Sequence, residues 1–524
     1  MIRISLCLFA VQIYLSMIQK VLTASTKGIS TQLIQVEIDI CPSLPQMIIV
    51  GLPDKAVQES KERIRSAIKE SGFEVPLGKI TVNLAPSGVT KSGTNFDLPI
   101  ALGILKQSGF IIDKPEFNFG KMLFLGELSL DGLVQSVRGT LSICLWAKSQ
   151  GYDKVFVPFA NRIEASLVSG LKIIGVNSLS EIVDCLNTKK EFEIIPYKPI
   201  KLDNQKATSE LLPNDFAYIK GQAMAKRALE IAAAGGHNVM LIGEPGSGKT
   251  LLARSYPNIL PAMTEPEILE ATQIHSVAGT LEENQVITTR PFRAPHHSCS
   301  HISLVGGGSN LRPGEISLSH RGVLFLDEFP EFKRESLEVL RQPLEDGFIQ
   351  ISRAIGSVIY PSKFYLIAAA NPTPSGFNTG DSRNKNPQNS SRYLAKFSGP
   401  IMDRIDLHVE VNRPQTVELQ SVSLAETSNS VAIRVQNARN LQTQRFNDST
   451  TQTNSEMTLP QLQQYCVLDF ASTTLMTNAI NKLNLSARSY NRILKLARTI
   501  ADLDNNSLIQ TTHLAEALQF RPKI

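Results

Sequence analysis

No two of the six cysteines form a C-x-x-C pair; they stand alone at positions 7, 41, 144, 185, 299 and 466. That spacing argues against a disulfide framework and suits reduced thiols, so a cytoplasmic address is expected. An excess of one charge is also missing. Lys and Arg number 53 against 48 Asp and Glu, a net of +5, which permits a nucleic-acid partner without arguing for one. Long apolar runs are absent except at the start, where Met1 to Val11 imitates an export signal but is too short to span a bilayer comfortably. Residues 1–16 are expected to be an upstream mis-start or signal-like leader, with a cytosolic domain beginning at Met17 and no membrane partner. What remains is ordinary globular composition, 42% hydrophobic and 19% charged over 524 residues, enough for two or three domains.

The most informative segment is Gly243-Glu244-Pro245-Gly246-Ser247-Gly248-Lys249-Thr250. An apolar strand-type run, Asn238 to Ile242, precedes it, and Leu251-Leu252-Ala253-Arg254 opens a helical pattern after it, the order a phosphate loop requires. Gly246 and Gly248 let backbone N–H groups turn toward phosphates, Lys249 reaches the β- and γ-phosphates, and Thr250 offers a hydroxyl to Mg²⁺. A second run, Gly322 to Leu326, ends in Asp327-Glu328. Asp327 is placed to hold Mg²⁺ through water and Glu328 to polarise the attacking water. These residues make the chain an ATPase or GTPase candidate.

Strand and helix patterns alternate before this segment. Residues 32–50 alternate as strands, Asp54 to Ser71 reads as an amphipathic helix, Leu98 to Gln107 and Thr140 to Gln150 as helices, and Lys79 to Leu84, Met122 to Leu128 and Val155 to Val157 as strands. The expected fold is a multidomain α/β protein. Its parts are a domain over 17–188, a Lys- and Pro-rich linker over 189–214, a nucleotide core with a parallel sheet over 215–414, and a helical domain over 415–524. Within the core, residues 373–388 read as a Gly/Pro/Asn-rich surface loop. Ser486 to Leu503 places Ile493, Leu496, Ala497 and Ile500 on one helical face, and Thr511 to Phe520 reads as a last helix behind a Thr cap.

Several further motifs occur in a fixed order: Gly235-Gly236-His237-Asn238, the phosphate loop, Arg290-Pro291-Phe292-Arg293-Ala294-Pro295-His296-His297, Gly306-Gly307-Gly308, Pro313-Gly314-Glu315, Leu324 to Glu328, Ser398-Gly399-Pro400 and Asp403-Arg404-Ile405-Asp406. With them the chain resembles the ComM/YifB branch of the magnesium-chelatase-like AAA+ ATPases, from about Met17 to Arg521. The resemblance implies a ring, usually a hexamer, that binds ATP and Mg²⁺ between subunits and moves DNA, driving branch migration of recombination intermediates in natural transformation. Carried onto this sequence, Asn371 takes the sensor-1 place, Arg404 the arginine finger, and Arg488 the sensor-2 place in a C-terminal helical lid. The first domain resembles the ribosomal-S5-like, Lon-protease-like fold at Leu125 to Gly132 and Gly151 to Pro158. A Lon-type protease needs a Ser/Lys pair, however, and the corresponding stretches read Gly93-Thr94-Asn95-Phe96-Asp97 and Gly139-Thr140-Leu141, so proteolysis is not expected.

Two elements are DNA-contact candidates: a hairpin from Gly347 to Tyr360 that directs Arg353 and Lys363 toward a ring pore, and a loop carrying Arg290, Arg293, His296, His297 and Arg312. A solvated surface or subunit-interface ion pairs would use the same residues. His296, His297, Cys299 and His301 are clustered, but their spacing fits no usual four-ligand zinc framework. Relatives carry several cysteines in the loop after sensor 1, whereas this chain has none from Thr373 to Pro400. The main reading is an ATP-driven, ring-forming DNA motor. The alternative is a chelatase-like motor subunit or remodeller acting on an unidentified partner protein.

Overall fold

The computed structural model describes residues 18–521 other than 113, 115–116, 189–191, 200–211, 213, 283–284, 309–310, 354–355, 373–400, 414–423 and 448–449. The leader, the loop read at 373–388, Ser398 to Pro400 and most of the expected linker lie outside the described residues. Ile194–Ile195, inside the stretch read as linker, pairs with the strand Lys172–Val176 and so extends a sheet of the N-terminal half. Two adjacent β-branched residues can complete a sheet edge even in a Lys/Pro-rich stretch.

The N-terminal half is built on two four-stranded sheets. The first runs Gln19–Lys27, Ser30–Cys41, Lys79–Ala85, Gln46–Val50 in spatial order, antiparallel except for the last pair. Ile34, Val36 and Ile38 alternate inward along the second strand and are fully buried, as a period of two demands. The helix Lys55–Glu70 starts where Asp54 accepts a hydrogen bond from Val57 N at 2.9 Å, a cap of a kind that contributes about 1 kcal/mol. It buries Val57, Ile64, Ala67 and Ile68. The helix Asp97–Gln107 is buried almost all round. At Gly103 a Cβ would come within 2.7 Å of Ile38 Cγ1, so only glycine lets this helix approach the sheet so closely.

The nucleotide core is a five-stranded sheet in the order Phe292–Arg293, Val323–Leu326, Tyr365–Ala370, Val239–Ile242, Leu407–Glu410, with every neighbouring pair parallel. Its middle strands are continuous apolar runs because both faces are covered. On one face the helix Ala223–Gly235 packs against the C-terminal helices Ser428–Arg445 and Ala487–Leu503. Sheet and helices share one apolar cluster containing Leu229, Ile231, Leu241, Val435, Ile493 and Ile500. The C-terminal helices are therefore welded to the core along this side. His237 fastens the seam, its Nε2 lying 2.9 Å from Thr499 Oγ1 and its Nδ1 3.2 Å from Asp406 Oδ2.

Ser486 caps Ala487–Leu503, and Ile493, Leu496, Ala497 and Ile500 are buried as the helical spacing requires. The last helix is Thr511–Gln519, but its cap is Gln510 rather than a threonine. The Gln510 and His513 side chains bond each other's backbone reciprocally, which leaves Thr511 as the first helical residue. Among the described residues no helix is long and apolar enough to cross a membrane.

Candidate nucleotide site

Because the core strands are parallel, their carboxyl ends emerge along one edge of the sheet, where ligands of open α/β sheets collect. Gly243, Asp327 and Asn371 follow directly on Ile242, Leu326 and Ala370. The phosphate loop is tied to this edge by Gly243 N, which donates to Ala370 O at 3.1 Å. A Cβ at Gly243 would lie 2.2 Å from Val411 O, whereas Gly246 (φ +78°) and Gly248 (φ +94°) face open space. The loop is thus closed behind and open in front.

Lys249 is buried, and its Nζ donates to Gly243 O at 2.6 Å, Glu244 O at 3.0 Å and Asn371 Oδ1 at 3.2 Å. Burial lowers its pKa from the ordinary lysine value, opposed by the nearby Asp327 charge. Thr250 Oγ1 donates to Asp327 Oδ2 at 2.9 Å, and Asp327 Oδ1 accepts from Glu328 N at 2.9 Å. A hydroxyl and a carboxylate this close are the oxygen donors a hard cation takes. With a buried ammonium beside an open glycine loop, they fit a magnesium–triphosphate group.

Glu328 stands in the left-handed region (φ 51°), and its carboxylate is half-exposed. That carboxylate meets His297, whose Nδ1 lies 2.9 Å from Glu328 Oε2, and the His297 ring packs on His296 with centroids 4.1 Å apart. The sequence reading placed both histidines with DNA contacts or a weak zinc cluster; it did not pair His297 with Glu328. The pairing follows from sheet order, since Phe292–Arg293 lies beside Val323–Leu326 and the residues after both strands share the same edge. Among the described residues no group of three or more His, Cys, Asp or Glu side chains could hold a metal ion. Sequence reasoning also missed two clamps on the loop. Arg413 Nε meets Glu244 Oε2 at 3.1 Å, and Gln222 Nε2 donates to Ser247 O at 3.2 Å.

Arg404 and Arg488 are not brought to this edge. Arg404 lies just before the strand Leu407–Glu410, its carbonyl accepting from Asn238 Nδ2 at 3.0 Å, at the amino ends of the strands. Its guanidinium is buried against Glu345. Arg488, more than half exposed, reaches the same Glu345 at 3.9 Å and Asp403 at 3.5 Å. Four residues of strand, about 13 Å, separate this pair from the phosphate loop of its own chain. Arg488 thus does not overhang its own chain's loop, as a sensor-2 residue acting in its own subunit would. The helix that carries it is anchored by packing to the opposite edge.

The DNA candidates separate as well. Arg290 is enclosed, donating from Nε to Pro261 O and from Nη1 to Arg321 O, both at 2.7 Å, and meeting Glu267 at 3.2 Å. Arg293 is held by both Glu315 oxygens at 2.7 Å. Lys363 stands at the foot of the hairpin and bonds Glu456 at 3.3 Å, so it does not share the tip with Arg353. These three basic residues are spent on internal carboxylates and carbonyls, which sequence alone cannot locate. Arg353 remains exposed at the end of Phe348–Arg353, paired with Gly356–Pro361. Ile351, Val358 and Tyr360 root the hairpin in the core, and the Tyr360 hydroxyl donates to Leu311 O at 2.7 Å.

A five-stranded parallel sheet with a phosphate loop, an Asp-Glu pair, a polar Asn and fused C-terminal helices defines a P-loop nucleotide-binding core of the AAA+ class. The family described as "Magnesium chelatase, subunit ChlI" matches residues 215–419, "Subunit ChlI of Mg-chelatase" matches 36–161, and "Magnesium chelatase, subunit ChlI C-terminal" matches 425–521. Competence protein ComM of Haemophilus influenzae is 40% identical over 96% of this chain and 97% of its own length. YifB of Escherichia coli is 39% identical over 95% of this chain and 96% of its own. The chloroplastic magnesium-chelatase subunit ChlI-1 of Arabidopsis thaliana is 24% identical over 54% of this chain. The chain belongs to the magnesium-chelatase-like AAA+ family, in the group that contains ComM and YifB.

Proposed function

We propose that this protein is an ATP-driven motor that works as a ring of identical subunits, a hexamer, on branched or single-stranded DNA in the cytoplasm. Its action on recombination intermediates would be branch migration of the kind natural transformation needs. The observation that carries the reading is the separation of the two halves of the site. Lys249, Thr250, Asp327, Glu328 and Asn371 gather at one edge of the sheet, while Arg404 and Arg488 are presented at the other. A second copy of the chain brings the two edges together.

Bound ATP with Mg²⁺ supplies the transferable phosphoryl group and the metal's charge. Lys249 and the loop N–H groups grip the phosphates, Thr250 and Asp327 hold the cation, Glu328 takes the proton of the attacking water, and Asn371 orients that water. His297 fixes the direction in which the Glu328 carboxylate points. Arg404 from the neighbouring subunit, released from Glu345, neutralises charge on the phosphoryl group, and Arg488 assists it. The exposed Arg353 hairpin is the DNA-contact element, and the N-terminal half is a non-proteolytic domain of S5/Lon type. The match to chelatase subunits favours one alternative, a motor that remodels a partner protein.

Mixing variants tests the shared site. Arg404→Ala and Glu328→Gln should each be nearly inactive alone, and together they should recover hydrolysis, because some sites then join an intact Glu328 to an intact Arg404. A monomer that hydrolyses ATP at full rate would refute the shared site. A four-way junction left unmoved with ATP present would point to the protein-remodelling alternative.

A further inference from the structure

A cavity of about 570 Å³ lies between the N-terminal half and the nucleotide core, and no phosphate-loop residue lines it. One side is the segment Gly93-Thr94-Asn95, where a Lon-type protease would carry its nucleophile. The other is the end of the helix Glu265–Ala278 with Gly279 and Arg312. Its size is that of a small-molecule site, and its chemistry is divided.

At one side stand Arg138 and Arg312, exposed guanidiniums that among the described residues have no ion-pair or hydrogen-bond partner. Burial first, and then the charge of the nearby Arg312, lowers the Arg138 pKa. Arg138 is also seated. A Cβ built on Gly279 (φ +73°) would fall 2.4 Å from its Nε, so the side chain lies against the glycine that ends the helix.

Deeper in stands a hydrogen-bonded polar wall. Asn161 Nδ2 donates to Glu164 Oε1 at 2.6 Å, and Asn161 Oδ1 accepts from Val137 N at 3.0 Å. The Glu164 carboxyl is 7% exposed and is held inside the protein by Asn161, with Ser276, Thr140 and the Leu141 backbone as further donors. Burial pushes the Glu164 pKa up. Glu127 and Glu282 add further carboxylates to the lining.

We propose that this cavity is a second ligand site, for a phosphate monoester that carries hydroxyl groups, such as a sugar phosphate or a nucleotide. The dianionic phosphate matches two unpartnered arginines, each able to bind it through two N–H bonds. The hydroxyls match the open polar side chains of the lining, Thr94, Glu127, Ser136 and Gln285. Arg138, Asn161 and Glu164 belong to the N-terminal half, Ser276 and Arg312 to the nucleotide core, so the ligand would bridge them and bias their relative placement.

The test uses full-length Lys249→Ala protein, which silences the phosphate loop, with ribose 5-phosphate titrated by calorimetry. One saturable site per chain is expected, weakened at least tenfold by adding Arg138→Ala and Arg312→Ala, both exposed side chains whose loss spares folding. Competition with a 5′-phosphorylated oligonucleotide separates the two sources of the ligand: displacement assigns the phosphate to a strand end, and no displacement assigns it to a free metabolite. Absence of binding by either probe, or equal affinity with and without the arginines, overturns the site. Inorganic phosphate binding as tightly as ribose 5-phosphate would overturn the role given to the polar lining.

Discussion

At the carboxyl edge of the nucleotide sheet, four polar side chains from three strand ends pair within hydrogen-bond reach, and the lysine among them is buried against backbone carbonyls. At the amino edge the basic side chains are absorbed by carboxylates of their own chain: Arg404 by Glu345, Arg290 by Glu267, Arg321 by Glu267 and Glu270. Parallel strands cause the contrast, because every strand sends its carboxyl end to one side. One edge is organised to receive a ligand, and the other stays satisfied by internal pairs until something competes for its arginines. In the proposed ring, that competitor is the nucleotide of an adjacent subunit.

The largest expected effect lies at the amino edge. Arg404→Ala should lower turnover about 10³-fold with ATP affinity nearly unchanged, read by steady-state hydrolysis beside a fluorescent-nucleotide titration. A large loss of affinity would place Arg404 in its own chain's site and erase the contrast between the edges. Next, Lys249→Ala should weaken ATP binding on the order of 100-fold, the scale of losing a buried charged contact. Wild-type affinity in the same titration would mean that the carboxyl edge is not the phosphate cradle.

Arg353→Ala leaves both edges intact and should reduce the slope of log affinity for DNA against log salt by about 1, with basal hydrolysis preserved. An unchanged slope removes the hairpin from the DNA interface. The smallest effect tests how tightly the amino edge is paired. His320 Nδ1 accepts from Lys363 N at 3.0 Å, so its Nε2 carries the hydrogen that meets Glu270 Oε2 at 3.1 Å. This bond first, with Arg321, pulls the Glu270 carboxyl down to about 2. A depressed carboxylate stabilises the fold above its ordinary pKa of 4.5 and loses that contribution as the pH falls toward 2. The Tm of the wild type should exceed that of Glu270→Gln most near neutral pH, and the gap should close on acidification. A gap independent of pH would show that the pair does not hold this edge.

Much of the carboxyl edge was legible because its chemistry is local in sequence. Glycines, lysine and threonine occur in one octapeptide, and two acids follow one apolar run. The Ser486 cap and the face formed by Ile493, Leu496, Ala497 and Ile500 were legible for the same reason, since helix spacing is read within a few turns. His297 against Glu328, Arg413 against Glu244 and Glu345 against both arginines were not. Those pairs join residues from about 30 to 170 positions apart, and no periodicity records which strands become neighbours. The same limit explains Arg290, Arg293 and Lys363, which read as surface charge while their partners were unknown.

By itself the sequence determined that a glycine-rich loop of phosphate-loop pattern stands between a strand and a helix, and that acids end a second strand, because short-range spacing encodes each of these. Only the tertiary structure decided that the glycine loop with its acids and the pair Arg404 and Arg488 occupy opposite edges of one sheet, and that a polar cavity opens between the two halves of the chain. Both depend on strand order and on packing between distant segments, where burial selects which charges meet.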